Sequence, residues 1–322
     1  MDSDRTTLAR HRFGQTDLEV TSLCIGTAAL GNMPETFDYS VPEQQAQATL
    51  EAFFASPINF LDTAASYGDG ESERRIGLAL RSRTLPPGFV LSTKADRDLT
   101  TGDFSGEQMK RSVERSLRLL GLERLPVLFL HDPEHTTFAA VMAPGGPVSV
   151  LRQLHEERVI EHLGVAGGPI AMEIEYVETG LFTCVITHNR YTLLNRSADP
   201  LLDMASARGM AVLNAAPYGS GILAKGPDAY ARYAYRDASP SLVARTRELE
   251  AVCARFGVPL AAAALQFSLR DPRITSTIVG VTRPERIAET LSLAAVALPD
   301  ELWPALDAVG FETEDPERGR WK

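Results

Sequence analysis

The sequence predicts an α/β fold, a (β/α)8 barrel taking up residues 1–322 as one domain. Three observations lead there. From Thr21 onward, short apolar runs alternate with helically spaced segments eight times. The runs are continuously apolar rather than alternating, as strands covered on both faces must be. The first run also lacks the GxGxxG turn with which an open doubly wound sheet holds a nucleotide. The nearest stretch, GTAALG at 26–31, does not match it. Repeated strand–helix alternation implies a parallel sheet with right-handed crossovers. Eight units fit a closed barrel better than an open sheet of six or seven strands, which stays the alternative on count alone.

In chain order the strand runs are TSLCIGTA (21–28), INFLDTA (58–64), FVLSTKA (89–95), LPVLFLHD (125–132), IEHLGVAG (160–167), FTCVITHNR (182–190), MAVLNAAP (210–217) and ITSTIVGVT (274–282). Helical spacing separates them. Ala46, Leu50 and Phe53 recur at intervals of four and three, as do Met109, Val113, Leu117 and Leu120. Ser40 with Glu43, Ser105 with Gln108 and Thr282 with Glu285 have capping-box spacing and predict helix starts. Three stretches read as irregular: 132–147, 224–240 and the tail from Phe311. The first two follow strands, so a barrel puts them on its C-terminal face, where active sites of this architecture are built. Tyr230, Tyr233 and Tyr235 favour a lid for the second.

Composition narrows the function classes. Apolar residues make up 44% and charged residues 23%, the balance of a folded enzyme without extensive disorder. A net charge of -10 with no basic stripe argues against nucleic acid, though not against a dinucleotide bound locally. Cys24, Cys184 and Cys253 are far apart, lack metal-type spacing and read as small buried side chains. No apolar run reaches the roughly 18 residues of a membrane span, and the opening MDSDRTTLARHRF is too polar for a signal peptide. The expectation is a cytoplasmic protein with no membrane or metal; oligomeric state is not readable.

Four polar residues fall at or just after the ends of the second, third and fourth strand runs: Asp62, Tyr67, Lys94 and His131. Taken singly, Asp62 fits a turn cap, Tyr67 a packing aromatic, Lys94 an exposed lysine and His131 a satisfied core histidine. In a barrel all four converge on one rim and form a proton-transfer set. An adjacent ammonium favours the phenolate and should pull the phenol down from its usual value near 10. The carboxylate holds the ammonium charged, and the imidazole donates to a substrate oxygen as charge develops. In reduction Tyr67 would protonate the nascent alkoxide; in oxidation it would take the hydroxyl proton.

These residues carry a resemblance to the aldo-keto reductase superfamily over nearly the whole length. NFLDTAASYGDGESERRIGLAL resembles the family's most specific signature, and Asp62, Tyr67, Lys94 and His131 match its catalytic tetrad in order. RFGQTDLEV resembles its N-terminal β-hairpin, which closes the bottom of the barrel. The segments LGLERLPVLFLHDPE and RYTLLNRSADPLLDMASARGMAVLNAAPYGSGILA resemble bacterial members acting on free sugars, the D-threo-aldose (L-fucose) 1-dehydrogenases, and the related pyridoxal 4-dehydrogenases. The resemblance implies oxidation of a cyclic sugar's anomeric hydroxyl to a lactone. It leaves pyridoxal or a general aldehyde or ketone as the other substrate, and a nicotinamide-sensing channel subunit as a non-catalytic reading. A polar pocket around Asn189, Arg190 and the 132–147 loop would favour sugars.

The same resemblance implies NADP or NAD as cofactor, with neither preferred. It places the dinucleotide against Gly26, Thr27 and Asp62 on the first two strand runs. After the sixth run, His188 and Asn189 would hold the carboxamide, because the usual Ser-Asn pair after the fifth is AGG here, at 166–168. In APYGSGIL, Pro217, Tyr218, Gly219, Ser220, Gly221 and Leu223 would wrap the pyrophosphate, the glycines letting backbone N–H groups come close. Gly280, Val281 and Thr282 lead into a helix N-terminus that favours an anion. Arg286 and Glu289 match positions near the adenosine, where Arg283 and Arg286 either meet a 2′-phosphate or lie on the helix surface. Val281 stands where many NADP-preferring members carry lysine. Ala215 stands where many have a stacking aromatic, leaving Tyr218 or another residue to substitute.

Overall fold

The structure, a computed structural model, describes residues 8–81 and 88–318. The chain opens with an antiparallel hairpin, β1 (Arg10–Arg12) and β2 (Glu19–Thr21). Its turn sends Phe13 into the barrel axis, edge-on to Phe60 with ring centroids 5.8 Å apart. Phe13 and Val20 are fully buried there, so the hairpin closes the barrel's lower end as its sequence implied.

The barrel strands are β3 (Leu23–Gly26), β4 (Phe60–Asp62), β5 (Val90–Ala95), β6 (Leu125–His131), β7 (Ile160–Ala166), β8 (Cys184–His188) and β9 (Ala211–Ala215). A two-residue hairpin follows, β10 (Arg232–Tyr233) and β11 (Arg236–Asp237), before β12 (Ser276–Gly280) closes the ring between β9 and β3. Every neighbouring pair in the ring is parallel. One core fills the barrel with Cys24, Phe60, Val127, Phe129, Cys184 and Leu213. The other lies between strands and helices, where the spacing of Ala46, Leu50 and Phe53 places all three against the barrel wall. All three cysteines are buried and unbridged. No single helix among the described residues is long and apolar enough to cross a membrane.

Local expectations divide. Ser105 caps the helix Gly106–Leu120, its Oγ accepting from the Gln108 N–H. Ser40 and Thr282 do not cap the helices Glu43–Phe54 and Glu285–Ala294, which start two residues later than those caps would give, behind Pro42 and Pro284. Proline fixes φ for entry into the first turn, and each hydroxyl is left two residues upstream of the capping position.

The three irregular stretches are also more ordered than predicted. Residues 132–147 contain a turn of 3-10 helix, Pro133–His135, and the short helix Phe138–Met142. Residues 224–240 fold as the β10–β11 hairpin, pinned by buried Tyr233, whose hydroxyl donates to the Asn189 carbonyl at 2.6 Å. The described part of the tail, 311–318, folds back over β8: Asp315 accepts from Arg190 Nε and Nη2 at 3.0 and 2.8 Å, and Glu317 lies 3.1 Å from Nη1. Arg190 and Glu317 are 0% and 1% exposed. Replacing Arg190 with Met should leave a buried carboxylate without its cation and cost about 3–5 kcal/mol. A lower urea midpoint with unchanged m would show it; a wild-type midpoint would place the tail's anchor elsewhere.

Candidate active site

The three strand ends and one loop that carry the polar set meet at the mouth of the barrel. Asp62 ends β4, Lys94 lies in β5 and His131 ends β6. Tyr67 sits on the loop after β4, which is clamped against the loop after β3. Gly68 has φ +62, and a Cβ there would lie 1.9 Å from the Gly31 carbonyl oxygen, so glycine alone allows this approach.

Lys94 Nζ donates to Asp62 Oδ2 at 2.7 Å, to the Thr63 carbonyl at 2.7 Å and to Tyr67 Oη at 3.2 Å. Ser92 holds the other Asp62 oxygen at 2.7 Å. Asp62 and Lys94 are each 2% exposed, whereas Tyr67 and His131 reach the opening. The rings of Tyr67 and His131 stand edge-to-face, 6.0 Å between centroids. Thus all four predicted residues come together.

The electrostatics differ from the sequence expectation at one point. Burial pulls the Lys94 ammonium down, but Asp62 and Tyr67 outweigh it and hold the lysine charged. For Tyr67 burial is again the largest effect, and Lys94 does not overcome it. The phenol lies above its ordinary value, not below. Burial outweighs the Lys94 charge and hydrogen bond, and the Asp62 carboxylate adds to the rise. Because Lys94 donates to Oη, the phenol's own proton is free to point into the mouth.

His131 has a partner that the sequence reading missed. Its Nδ1 lies 2.6 Å from Asp96 Oδ1, and its Nε2 lies 3.4 Å from Asp132 Oδ1. Asp96 follows Lys94 by two residues, a spacing that keeps strand neighbours on one face, and that signal was available in STKAD. Tyr235, at the tip of the β10–β11 hairpin, also reaches the mouth. Its ring lies 6.4 Å from that of His188, and it is among the groups that raise the Tyr67 phenol.

The positions assigned to a dinucleotide fall into two groups. Beyond β9, Gly219, Ser220 and Gly221 have consecutive positive φ of +56, +65 and +125, and the Gly219 and Gly221 N–H groups close tight turns on the Ala216 and Tyr218 carbonyls at 2.9 and 3.0 Å. A Cβ on Gly219 would lie 2.3 Å from the Tyr233 ring. Asn189 Nδ2 and Tyr218 Oη nearby are buried without hydrogen-bond partners, and burial pushes the Tyr218 phenol up to about 12. Gly280 ends β12 in open space. Two unused buried polar atoms beside a tight glycine turn fit a bound dinucleotide.

Other positions are committed within the protein. Thr27 Oγ1 and N–H both donate to the Asp62 carbonyl, and Gly26 packs against Ile278. Asp62 is spent on Lys94 and Ser92. Pro217, Leu223 and Val281 are buried, and the Thr282 carbonyl accepts from Gln45. His188 Nε2 lies 3.3 Å from Glu317. Arg286 and Arg283 both pair with Glu289, at 2.8 and 3.0 Å. In the AGG stretch, the Gly167 N–H donates to buried Glu173. Arg190 and Asn189, expected to line a polar pocket, are 0% exposed, whereas Asp132, Glu134 and His188 are half-buried.

The model of the aldo/keto reductase family matches residues 22–310. The chain is 30% identical to the pyridoxal 4-dehydrogenase of Microbacterium luteolum, across 94% of this chain and 97% of that protein. It is 29% identical to a D-threo-aldose 1-dehydrogenase of a Pseudomonas species, across 90% and 94%. Among solved structures, an aldo-keto reductase from Bacillus halodurans in its holo form superposes with a TM-score of 0.76 at 20% identity, across 97% of this chain and 99% of that one. That likeness concerns the fold.

Proposed function

Because the chain belongs to the aldo/keto reductase family and is an NAD(P)-dependent oxidoreductase, we propose that it oxidises the anomeric hydroxyl of a free aldose, of the L-fucose or D-threo type, to the lactone. The observation that carries this is the Asp62–Lys94–Tyr67 chain of contacts, facing His131 across the mouth.

The nicotinamide, when bound, supplies the hydride acceptor. The protein's own residues handle the proton. Tyr67 Oη takes the hydroxyl proton in oxidation and gives it back in reduction. Lys94 steadies charge on that oxygen, Asp62 keeps Lys94 charged and aimed, and His131 donates to the substrate oxygen. Gly219, Ser220 and Gly221 would meet the pyrophosphate, with Asn189 and Tyr218 offering their unused polar atoms. Arg286 and Arg283 share Glu289, so a 2′-phosphate would have to compete with that carboxylate. NAD and NADP therefore enter the test together. Asp132, Glu134 and His188 give the mouth the polarity a sugar requires.

A second reading, oxidation of pyridoxal, is favoured by the aromatic pair His188 and Tyr235 and by the Microbacterium relative. Reduction of general aldehydes or ketones uses the same machinery. The test follows reduced-nicotinamide absorbance with NAD and with NADP against L-fucose, other aldoses, pyridoxal and simple aldehydes. Turnover led by an L-fucose-type sugar is expected, and turnover led by pyridoxal selects the second reading. Cofactor binding without turnover on any of them overturns both.

A further inference from the structure

We propose that Asp96 is a positioning residue for this reaction: its carboxylate, bonded to His131 Nδ1, keeps the imidazole doubly protonated, so that Nε2 presents a charged N–H at the mouth. The proposal deepens the reading above and rests on it for its catalytic meaning.

A neutral imidazole carries one proton and must choose a nitrogen. With the proton on Nδ1, facing Asp96 at 2.6 Å, Nε2 is a bare lone pair that repels a reacting oxygen. With the proton on Nε2, the Nδ1 lone pair faces a carboxylate at that distance. Only the imidazolium satisfies both sides.

The carboxylate is fixed in turn. Asp96 is 3% exposed, its Oδ2 accepts the Ser66 N–H at 2.9 Å, and its own N–H donates to Ser112 Oγ at 3.0 Å. Burial works against its ionisation, yet the His131 charge and the Ser66 N–H leave its carboxyl below the ordinary range.

The groups around the ring oppose one another, with the carboxylates on the winning side. From β5 comes the Lys94 ammonium and from just beyond its end Asp96; from the loop after β4 come the Ser66 hydroxyl at 3.5 Å and the neutral Tyr67 ring. From its own segment come Asp132, 3.4 Å from Nε2, and Glu134, which burial and Asp132 push up to about 7. Burial and Lys94 draw His131 toward neutrality, but Asp132 and Asp96 prevail and raise it. With a phenol that is not acidic, a cation on the other side of the reacting oxygen has more to do.

Asp96→Asn separates charge from shape. The asparagine oxygen can stay on the Ser66 N–H while its amide donates to Nδ1, leaving a neutral ring that still offers Nε2–H. Heteronuclear NMR of the ring nitrogens should show wild-type His131 titrating above the ordinary value of about 6.5, and the variant titrating at least about one pH unit lower than wild type. For reduction of a small aldehyde, where Tyr67 stays protonated, kcat/KM should fall as pH rises through the His131 titration. That limb should move down with the NMR titration in the variant, kcat should drop about tenfold with KM little changed, and Asp96→Glu should recover part of it.

A purely structural role would lower Tm and leave the limb in place, which overturns the proposal. So does a wild-type His131 that titrates at or below that ordinary value, a result that decides the matter even if the variant does not fold. The ring titration needs no turnover, so failure of the proposed activity and failure of this inference are told apart.

Discussion

Tyr67→Phe is expected to lower turnover by about a thousandfold or more while leaving nicotinamide binding within about twofold. The substitution removes one oxygen, whose proton the Lys94 contact leaves free to point into the mouth. Lys94 donates to it, so its hydrogen has no internal acceptor to satisfy. The ring should keep its place, because the loop is held by the Gly68–Gly31 approach and by backbone bonds from Tyr67 to Ala64 and Ser72. Phenylalanine should therefore cost little stability. Fluorescence titration of the cofactor and steady-state rates on the same preparation check both halves. A variant that binds cofactor and turns over at the wild-type rate removes Tyr67 from the chemistry.

Lys94→Met is expected to be as damaging to turnover and, unlike Tyr67→Phe, to destabilise the fold. The ammonium is the shared partner of Asp62, Thr63 and Tyr67. Without it Asp62 keeps only Ser92 as a polar partner, in a site 2% exposed. A buried carboxylate robbed of its cation costs about 3–5 kcal/mol, readable as a lower urea midpoint. The phenol also loses its only compensation for burial and rises further, so oxidation suffers more than reduction. Pairing Lys94→Met with Asp62→Asn should restore much of the midpoint and none of the rate. Recovery of rate in that double variant would mean that the lysine acts through fold stability alone.

Much of this architecture was legible before any coordinates. The eight strands announce themselves because a parallel strand covered on both faces must be apolar throughout, as in LPVLFLHD. Asp62, Lys94 and His131 stood out because polar residues ending such runs have no place in the core and face one rim.

What escaped was set by packing at long range. Arg190 meets Asp315 across 125 residues, and no local pattern joins them. Ser40 and Thr282 looked like caps, but Pro42 and Pro284 occupy those positions, with no side-chain hydrogen bond to the helix. Asp96 was not singled out, although its two-residue offset from Lys94 carried the clue. The Tyr67 phenol was expected to be acidic from its neighbour's charge; how far burial and Asp62 offset that charge depends on distances a sequence does not contain.

The sharpest single test is the fate of deuterium placed on the carbon whose hydroxyl is oxidised, in whichever substrate of the panel turns over. Direct transfer at a barrel mouth served by Tyr67 predicts that the label appears on the reduced nicotinamide in the wild-type protein, and that the Tyr67→Phe protein, with cofactor bound, delivers almost none. Label lost to solvent, or delivered at equal rate by both proteins, would contradict it.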